Sequence, residues 1–147
     1  MIYIRSNGEF AMPIDELYDF VTTPANWPRW HPSSLGVSDG ADHSLLVGEE
    51  VTEEFRVAGR HGHVVWTVTE REPPHRWVID GKIIGYNMGG VITYTLTESG
   101  TGTHFAREFA YPIPNLLFRV MNRLIFQRRV ETESAEALRR LQALLAT

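Results

Sequence analysis

The segment 103–111, THFAREFAY, followed directly by Pro112-Ile113-Pro114, decides the fold class of this chain. Bulky side chains alternate along the segment, at Phe105, Arg107, Phe109 and Tyr111. This pattern is typical of a strand with one buried face. The two prolines end the strand, and residues 115–145 contain neither proline nor glycine. That stretch of about 31 residues predicts a C-terminal helix roughly 46 Å long.

Upstream of this strand, short alternating segments are separated by turn signals, as in an antiparallel sheet. The predicted strands cover residues 2–12, 50–58, 63–71, 76–84, 91–98 and 103–111, with a weaker one at 44–47. A sheet made largely of consecutive strands and covered by helices on one face predicts an α+β protein.

Two further segments precede the main run of strands. Residues 13–21 predict a short helix, because its apolar side chains share one face; they are Ile14, Leu17, Tyr18 and Val21. The prolines in residues 24–32 prevent a long helix. Trp27 and Trp30 are therefore expected to anchor a loop.

Composition limits the classes of protein. The chain has 147 residues, no cysteine, 22% charged residues and a net charge of -4. This predicts a single domain over residues 1–147 and excludes disulfides and cysteine chemistry. An acidic balance argues against a nucleic-acid partner. No signal peptide is visible, and no run approaches the ~20 apolar residues of a membrane span. A cytoplasmic protein without stable membrane insertion is expected.

Three motifs carry a resemblance to a known family. They are PIDELYDFV at 13–21, WPRWHP at 27–32 and EPPHRW at 72–77. In the order found here they resemble the START-like (SRPBCC) superfamily, and within it the polyketide cyclase/dehydrase-like branch. The resemblance implies a helix-grip fold, in which a curved antiparallel sheet wraps around the long C-terminal helix and encloses a hydrophobic cavity. Lipid carriers, aromatic polyketide cyclases and Hsp90 activators share this fold, so the fold alone leaves the activity open.

On each predicted strand one face carries the bulky side chains and is expected to be buried. Polar residues on that face are the candidates for chemistry. Glu53 and Arg107 are charged, and a buried charge needs a partner or a ligand. They either pair with each other, reach water at the sheet edge, or serve a ligand. In the last case Arg107 would fix a carboxylate, enolate or carbonyl oxygen, and Glu53 would act as a base or a second anchor. Tyr94 is a further candidate or a plain core aromatic. His31, which the resemblance places beside the cavity mouth, is a candidate acid or base or a surface histidine.

The predicted ligand-binding set combines these groups with aromatic and apolar side chains. It consists of Trp30, His31, Glu53, Phe55, Trp66, Trp77, Tyr94, Arg107, Phe109, Phe118, Met121 and Ile125. No metal site is predicted, since His61-Gly62-His63 lacks a third ligand at motif spacing. No cofactor is predicted either.

Three functions follow as hypotheses. The first is binding of a hydrophobic small molecule, namely a polyketide, aromatic, fatty acyl or sterol-like compound. The second is a cofactor-independent polyketide cyclase or dehydratase using Arg107 with Glu53, His31 or Tyr94. The third is a protein-interaction module of the Hsp90-activator type. Residues 116–126 are apolar around most of the helix circumference. This surface would be covered by the loop 27–48, by a ligand, or by a second subunit in a homodimer.

Overall fold

The computed structural model describes residues 1–112 and 126–146. Seven antiparallel strands form one sheet in the order β1-β7-β6-β5-β4-β3-β2. The strands are β1 (Ile2–Phe10), β2 (Ser34–Val37), β3 (Glu50–Val57), β4 (Arg60–Glu72), β5 (Arg76–Ile83), β6 (Gly89–Ser99) and β7 (Gly102–Tyr111). The helices are α1 (Ile14–Val21), α2 (Trp27–Trp30) and α3 (Gln127–Leu145), with a 3₁₀ turn at Pro24–Asn26 before α2.

The sheet curls around α3 in the α+β helix-grip arrangement expected from the sequence. Strands β3 to β7 are joined in order to their sequence neighbours, while β1 crosses over to pair with β7. The core lies on the inner face. Along β4 to β7 the register pairs Trp66 with Gly81, Trp77 with Tyr94, and Tyr94 with Arg107. These residues share the face predicted from their alternation.

The α1 helix covers one end of this core. Its predicted apolar face is confirmed, since Ile14, Leu17, Tyr18 and Val21 are all buried. The Tyr18 hydroxyl donates a hydrogen bond of 2.9 Å to the carbonyl of Arg76 at the start of β5. The apolar face of α1 thus holds the helix against the sheet, and the Tyr18 hydroxyl fixes the position of the helix relative to β5.

The proline-rich segment after α1 is anchored by its tryptophans. The indole of Trp27 donates to the Val21 carbonyl at 3.0 Å and packs edge-on against Trp77 with ring centres 6.2 Å apart. Trp30 is only 1% exposed. The segment forms single turns rather than a long helix, as its prolines predict.

The weak strand predicted at 44–47 is wrong. Leu45 is 1% exposed, but it lies in a loop whose backbone bonds go to other elements. Its N–H donates to the Thr22 carbonyl at 3.2 Å, and its carbonyl accepts from the Trp77 indole at 3.2 Å. The seventh strand is instead β2, which pairs with β3 through an irregular register between Ser34 and Gly36. That irregularity removes the alternation by which a strand is recognised.

The α3 helix presents a narrow stripe to the sheet, at Val130, Ser134, Ala137, Leu138 and Leu141. Leu138 and Leu141 are buried, whereas Ala135 is exposed. Glu136 and Arg140 form an ion pair at 3.4 Å on the helix surface. Residues 113–125 lie outside the described part, and with them most of the apolar stretch 116–126. Among the described residues no helix is long and apolar enough to cross a membrane, and the cytoplasmic location stays a prediction.

Candidate functional site

A cavity of about 750 Å³ lies between the inner face of the sheet and α3. Eight residues of the predicted ligand-binding set line it: Trp30, His31, Glu53, Phe55, Trp66, Tyr94, Arg107 and Phe109. The predicted contacts Phe118, Met121 and Ile125 lie outside the described residues. The volume falls in the range of small-molecule sites, which run from about 300 to 1,000 Å³.

Trp77 belongs to the predicted set but does not line the cavity. It is fully buried between Trp27 and Tyr94, whose ring centres lie 6.2 and 5.4 Å from its own. Its indole N–H is already bonded to Leu45. The alternation places Trp77 on the inner face correctly, but at the end of the sheet that α2 and the loop at Leu45 close off. Trp77 is therefore a core residue.

Inward-facing glycines make room for the aromatic walls. A Cβ on Gly81 would lie 2.4 Å from the ring of Trp66. A Cβ on Gly90 would lie 2.5 Å from the ring of Phe109. The two rings lie along the sheet over these glycines, so the space between the rings and α3 stays unfilled.

Glu53 is a partly buried carboxyl on the β3 side of the cavity. It accepts a hydrogen bond from the Trp66 indole at 3.0 Å. Burial raises the pKa of Glu53, while the neighbouring Ser34 and Trp66 side chains and the charge of Arg107 oppose that rise. The protonated form of this acid is thus favoured relative to an exposed glutamate.

Arg107 is a buried cation on β7, only 6% exposed. Its Nη1 donates to the Ser134 hydroxyl of α3 at 3.4 Å, and Tyr94 lies opposite it on β6 in the strand register. Burial raises the pKa of the Tyr94 hydroxyl to about 12, so Tyr94 is uncharged. Among the described residues no carboxylate lies within 4.0 Å of Arg107. The direct Glu53–Arg107 ion pair considered from the sequence is therefore absent.

His31 follows the last residue of α2. Its Nδ1 accepts a hydrogen bond from the backbone N–H of Ser33 at 3.1 Å. Burial, reinforced by the charges of Arg107 and Arg140, holds the pKa of His31 well below its usual value. A neutral ring that accepts at Nδ1 carries its proton on Nε2. That Nε2 is buried and has no hydrogen-bond partner among the described residues.

A second polar cluster was not predicted from the sequence. Glu133 of α3 accepts from the backbone N–H of Ala58 at 3.0 Å and from the Ser33 hydroxyl at 3.1 Å. Arg129, one turn earlier, donates to the Ala58 carbonyl at 3.1 Å. These contacts join α3 to the β3–β4 turn and to the loop after α2, beside the cavity. The sequence held one signal for this cluster. Two adjacent polar residues, Glu133 and Ser134, interrupt the apolar stripe of the helix between Val130 and Ala137.

The histidine pair noted in the sequence lies at the β3–β4 hairpin. His61 Nε2 is 2.7 Å from a carboxylate oxygen of Glu54, and His63 Nε2 is 4.0 Å from the same oxygen. In residues 1–112 and 126–146 no group of three or more side chains is arranged to hold a metal ion.

The curled sheet, the gripped helix and the cavity define a START-like protein of the helix-grip class. The family profile described as polyketide cyclase/dehydrase and lipid transport matches residues 1–146, and the chain belongs to that family. Family and fold together support a ligand-binding or cyclase role.

Similar structures come from several bacteria. Protein Ms6760 from Mycobacterium smegmatis is 22% identical, with a TM-score of 0.72 over 98% of this chain and 90% of that one. The Aha1 dimer from Colwellia psychrerythraea is 20% identical, with a TM-score of 0.66 over 99% and 96% of the two chains. At these identities the likeness shows the fold alone.

One curated relative matches a shorter segment. Penitrem biosynthesis cluster 1 protein I of Penicillium ochrochloron is 40% identical over 58 residues. The matched segment spans 38% of this chain and 38% of that protein.

Proposed function

We propose that this protein binds a hydrophobic small molecule of polyketide, aromatic, fatty acyl or sterol-like type between its sheet and α3. The observation that carries the proposal is the cavity of about 750 Å³, walled by Trp66, Phe55 and Phe109 and containing the buried polar groups of Arg107 and His31. An apolar pocket with a few oriented polar groups is the general form of a small-molecule site. The aromatic walls supply affinity, and the polar groups orient the ligand.

The first test is native mass spectrometry of the freshly purified protein, with solvent extraction of any retained molecule. A mass increment that extracts as an apolar compound supports the proposal.

A matched pair of variants shows whether the molecule occupies the cavity. Ile92 is 6% exposed and lines the cavity, whereas its neighbour Val91 is 36% exposed. Ile92→Trp should abolish retention by filling the space, and Val91→Trp should leave it unchanged. Equal retention by both variants would place the molecule elsewhere and contradict the proposal.

A cyclase or dehydratase activity is the second candidate. It is favoured by a partly buried acid, Glu53, and a buried cation, Arg107, which both line one cavity. Arg107 would polarise a ketone oxygen, and Glu53, His31 or Tyr94 would transfer protons to or from the folded chain. With a synthetic poly-β-ketoacyl thioester as substrate, Arg107→Leu should abolish turnover while the circular dichroism spectrum is retained. Turnover that survives this change would exclude the mechanism.

The interaction-module alternative requires a cavity filled by side chains. The space bordered by the described residues supports ligand binding over that alternative. The homodimer through residues 116–126 stays a prediction, and the native mass spectrum tests it directly.

A further inference from the structure

Three N–H groups on residues that line the cavity have no acceptor among the described residues. They are Nε of Arg107, Nε2 of His31 and Nε1 of Trp30, and each is buried without a hydrogen-bond partner among the described residues. All three side chains line the same cavity. A buried donor left without an acceptor is unfavourable and rare in folded proteins. Three such donors on residues that line one cavity indicate that a hydrogen-bond acceptor is missing there.

The tautomer of His31 shows that its unpaired ring nitrogen is a donor. Because Nδ1 accepts from the Ser33 N–H, Nε2 of the neutral ring is a donor. Burial raises the pKa of Tyr94 to about 12, so its hydroxyl stays protonated and can donate a hydrogen bond. The polar groups of the cavity residues around Arg107 are therefore mainly hydrogen-bond donors.

In the described part of the chain Arg107 also has no ion-pair partner. Glu53 is bonded to Trp66, and Glu133 is bonded to Ala58 and Ser33. Neither carboxylate lies within 4.0 Å of the guanidinium. The undescribed segment 113–125, IPNLLFRVMNRLI, contains no aspartate or glutamate. It therefore supplies no carboxylate side chain, although a buried cation without an anion is strongly disfavoured.

We infer that the ligand of this cavity is an apolar organic acid bound as its carboxylate anion, with the carboxylate on Arg107, Trp30 and His31 and the apolar body against the aromatic wall. This inference rests on the proposed function and narrows it. A carboxylate offers about four acceptor positions and pairs well with the fork of a guanidinium. A sterol alcohol or an unsubstituted aromatic would leave the guanidinium charge unpaired.

The test compares probes that share a body and differ in the head group. Dodecanoate is compared with 1-dodecanol, and 2-naphthoate with 2-naphthol, by titration calorimetry at pH 7. We expect the acid of at least one pair to bind about tenfold or more tightly than its alcohol, as one charge-assisted hydrogen bond would provide. Arg107→Met should remove that preference, because it weakens binding of the acid and leaves the affinity for the alcohol within about twofold of the parent value. Arg5→Met is the matched control, since Arg5 is 69% exposed and pairs with Glu108.

A second measurement does not depend on the Arg107 variant folding. The carboxyl signal of bound dodecanoate labelled with carbon-13 should remain that of the anion as the pH falls through the range where the free acid protonates. Trp30→Phe, which keeps an aromatic ring and removes one donor, should shift this protonation toward the free value.

The outcomes separate the two proposals. Acid and alcohol binding equally well would overturn the carboxylate inference and leave hydrophobic ligand binding intact. Protonation of bound dodecanoate at or above the pH of the free acid would also overturn it. Binding of none of the four probes would overturn the proposed function, and this inference with it.

Discussion

Replacing Gly81 by alanine tests the packing that keeps the cavity open. The added Cβ would lie 2.4 Å from the Trp66 ring, whereas carbon atoms pack at about 3.5–4.0 Å. The ring must therefore move by about 1 Å or more. Its indole N–H is held by Glu53 at 3.0 Å, so the movement strains or breaks that hydrogen bond and pushes the ring into the cavity.

The magnitude follows from two overlapping effects. Overpacking of a filled core position costs about 1–3 kcal/mol. Leaving a buried polar group without its partner costs about 1–3 kcal/mol. Since one ring movement produces both, we expect the free energy of unfolding to fall by about 2–3 kcal/mol. For a chain of this length that corresponds to a melting temperature lower by roughly 4–12 °C.

Urea unfolding followed by tryptophan fluorescence measures the stability, and titration with dodecanoate measures the cavity. Gly36→Ala is the matched control, because no atom lies within 4 Å of its added Cβ; its unfolding free energy should stay within about 0.5 kcal/mol of the parent value. A Gly81→Ala protein with unchanged stability and unchanged dodecanoate affinity would refute the view that the glycines hold the cavity open.

Three further changes probe other parts of the site. Glu133→Gln should lower the unfolding free energy by about 1–3 kcal/mol in urea denaturation, because it weakens the bonds from Ala58 and Ser33; the exposed Glu136→Gln should change it by less than about 0.5 kcal/mol, and equal effects would contradict the contact. His31→Gln should flatten the loss of stability between pH 7 and pH 5. The folded-state pKa of His31 is depressed. Below the usual histidine pKa only the unfolded parent therefore takes up a proton at His31, and this destabilises the folded parent. Parallel curves of stability against pH for parent and variant would count against a buried neutral His31. Trp77→Phe should reduce thermal stability and leave dodecanoate affinity unchanged, because Trp77 packs in the core outside the cavity wall; a large loss of affinity would restore Trp77 as a ligand contact.

Much of this architecture follows from local patterns. The alternation in 103–111 and in the strands before it determines which side chains share a face, since successive residues of a strand point to opposite sides. The α1 helix follows in the same way from a spacing of three and four residues. These patterns depend only on neighbours along the chain. The sequence alone therefore predicted the inner positions of Glu53, Tyr94 and Arg107.

Only the tertiary structure decided how those positions are used. Trp66 and Trp77 have the same alternation, yet Trp66 lines the cavity while Trp77 is sealed by Trp27 and the loop at Leu45. The strand β2 escaped prediction because its irregular pairing with β3 carries no alternation. Glu133 could not be assigned from the sequence, since its partners Ser33 and Ala58 lie 100 and 75 residues away. A residue's face is set by backbone geometry within a few residues, whereas the partners that meet a buried charge are set by strand register and by where α3 crosses the sheet.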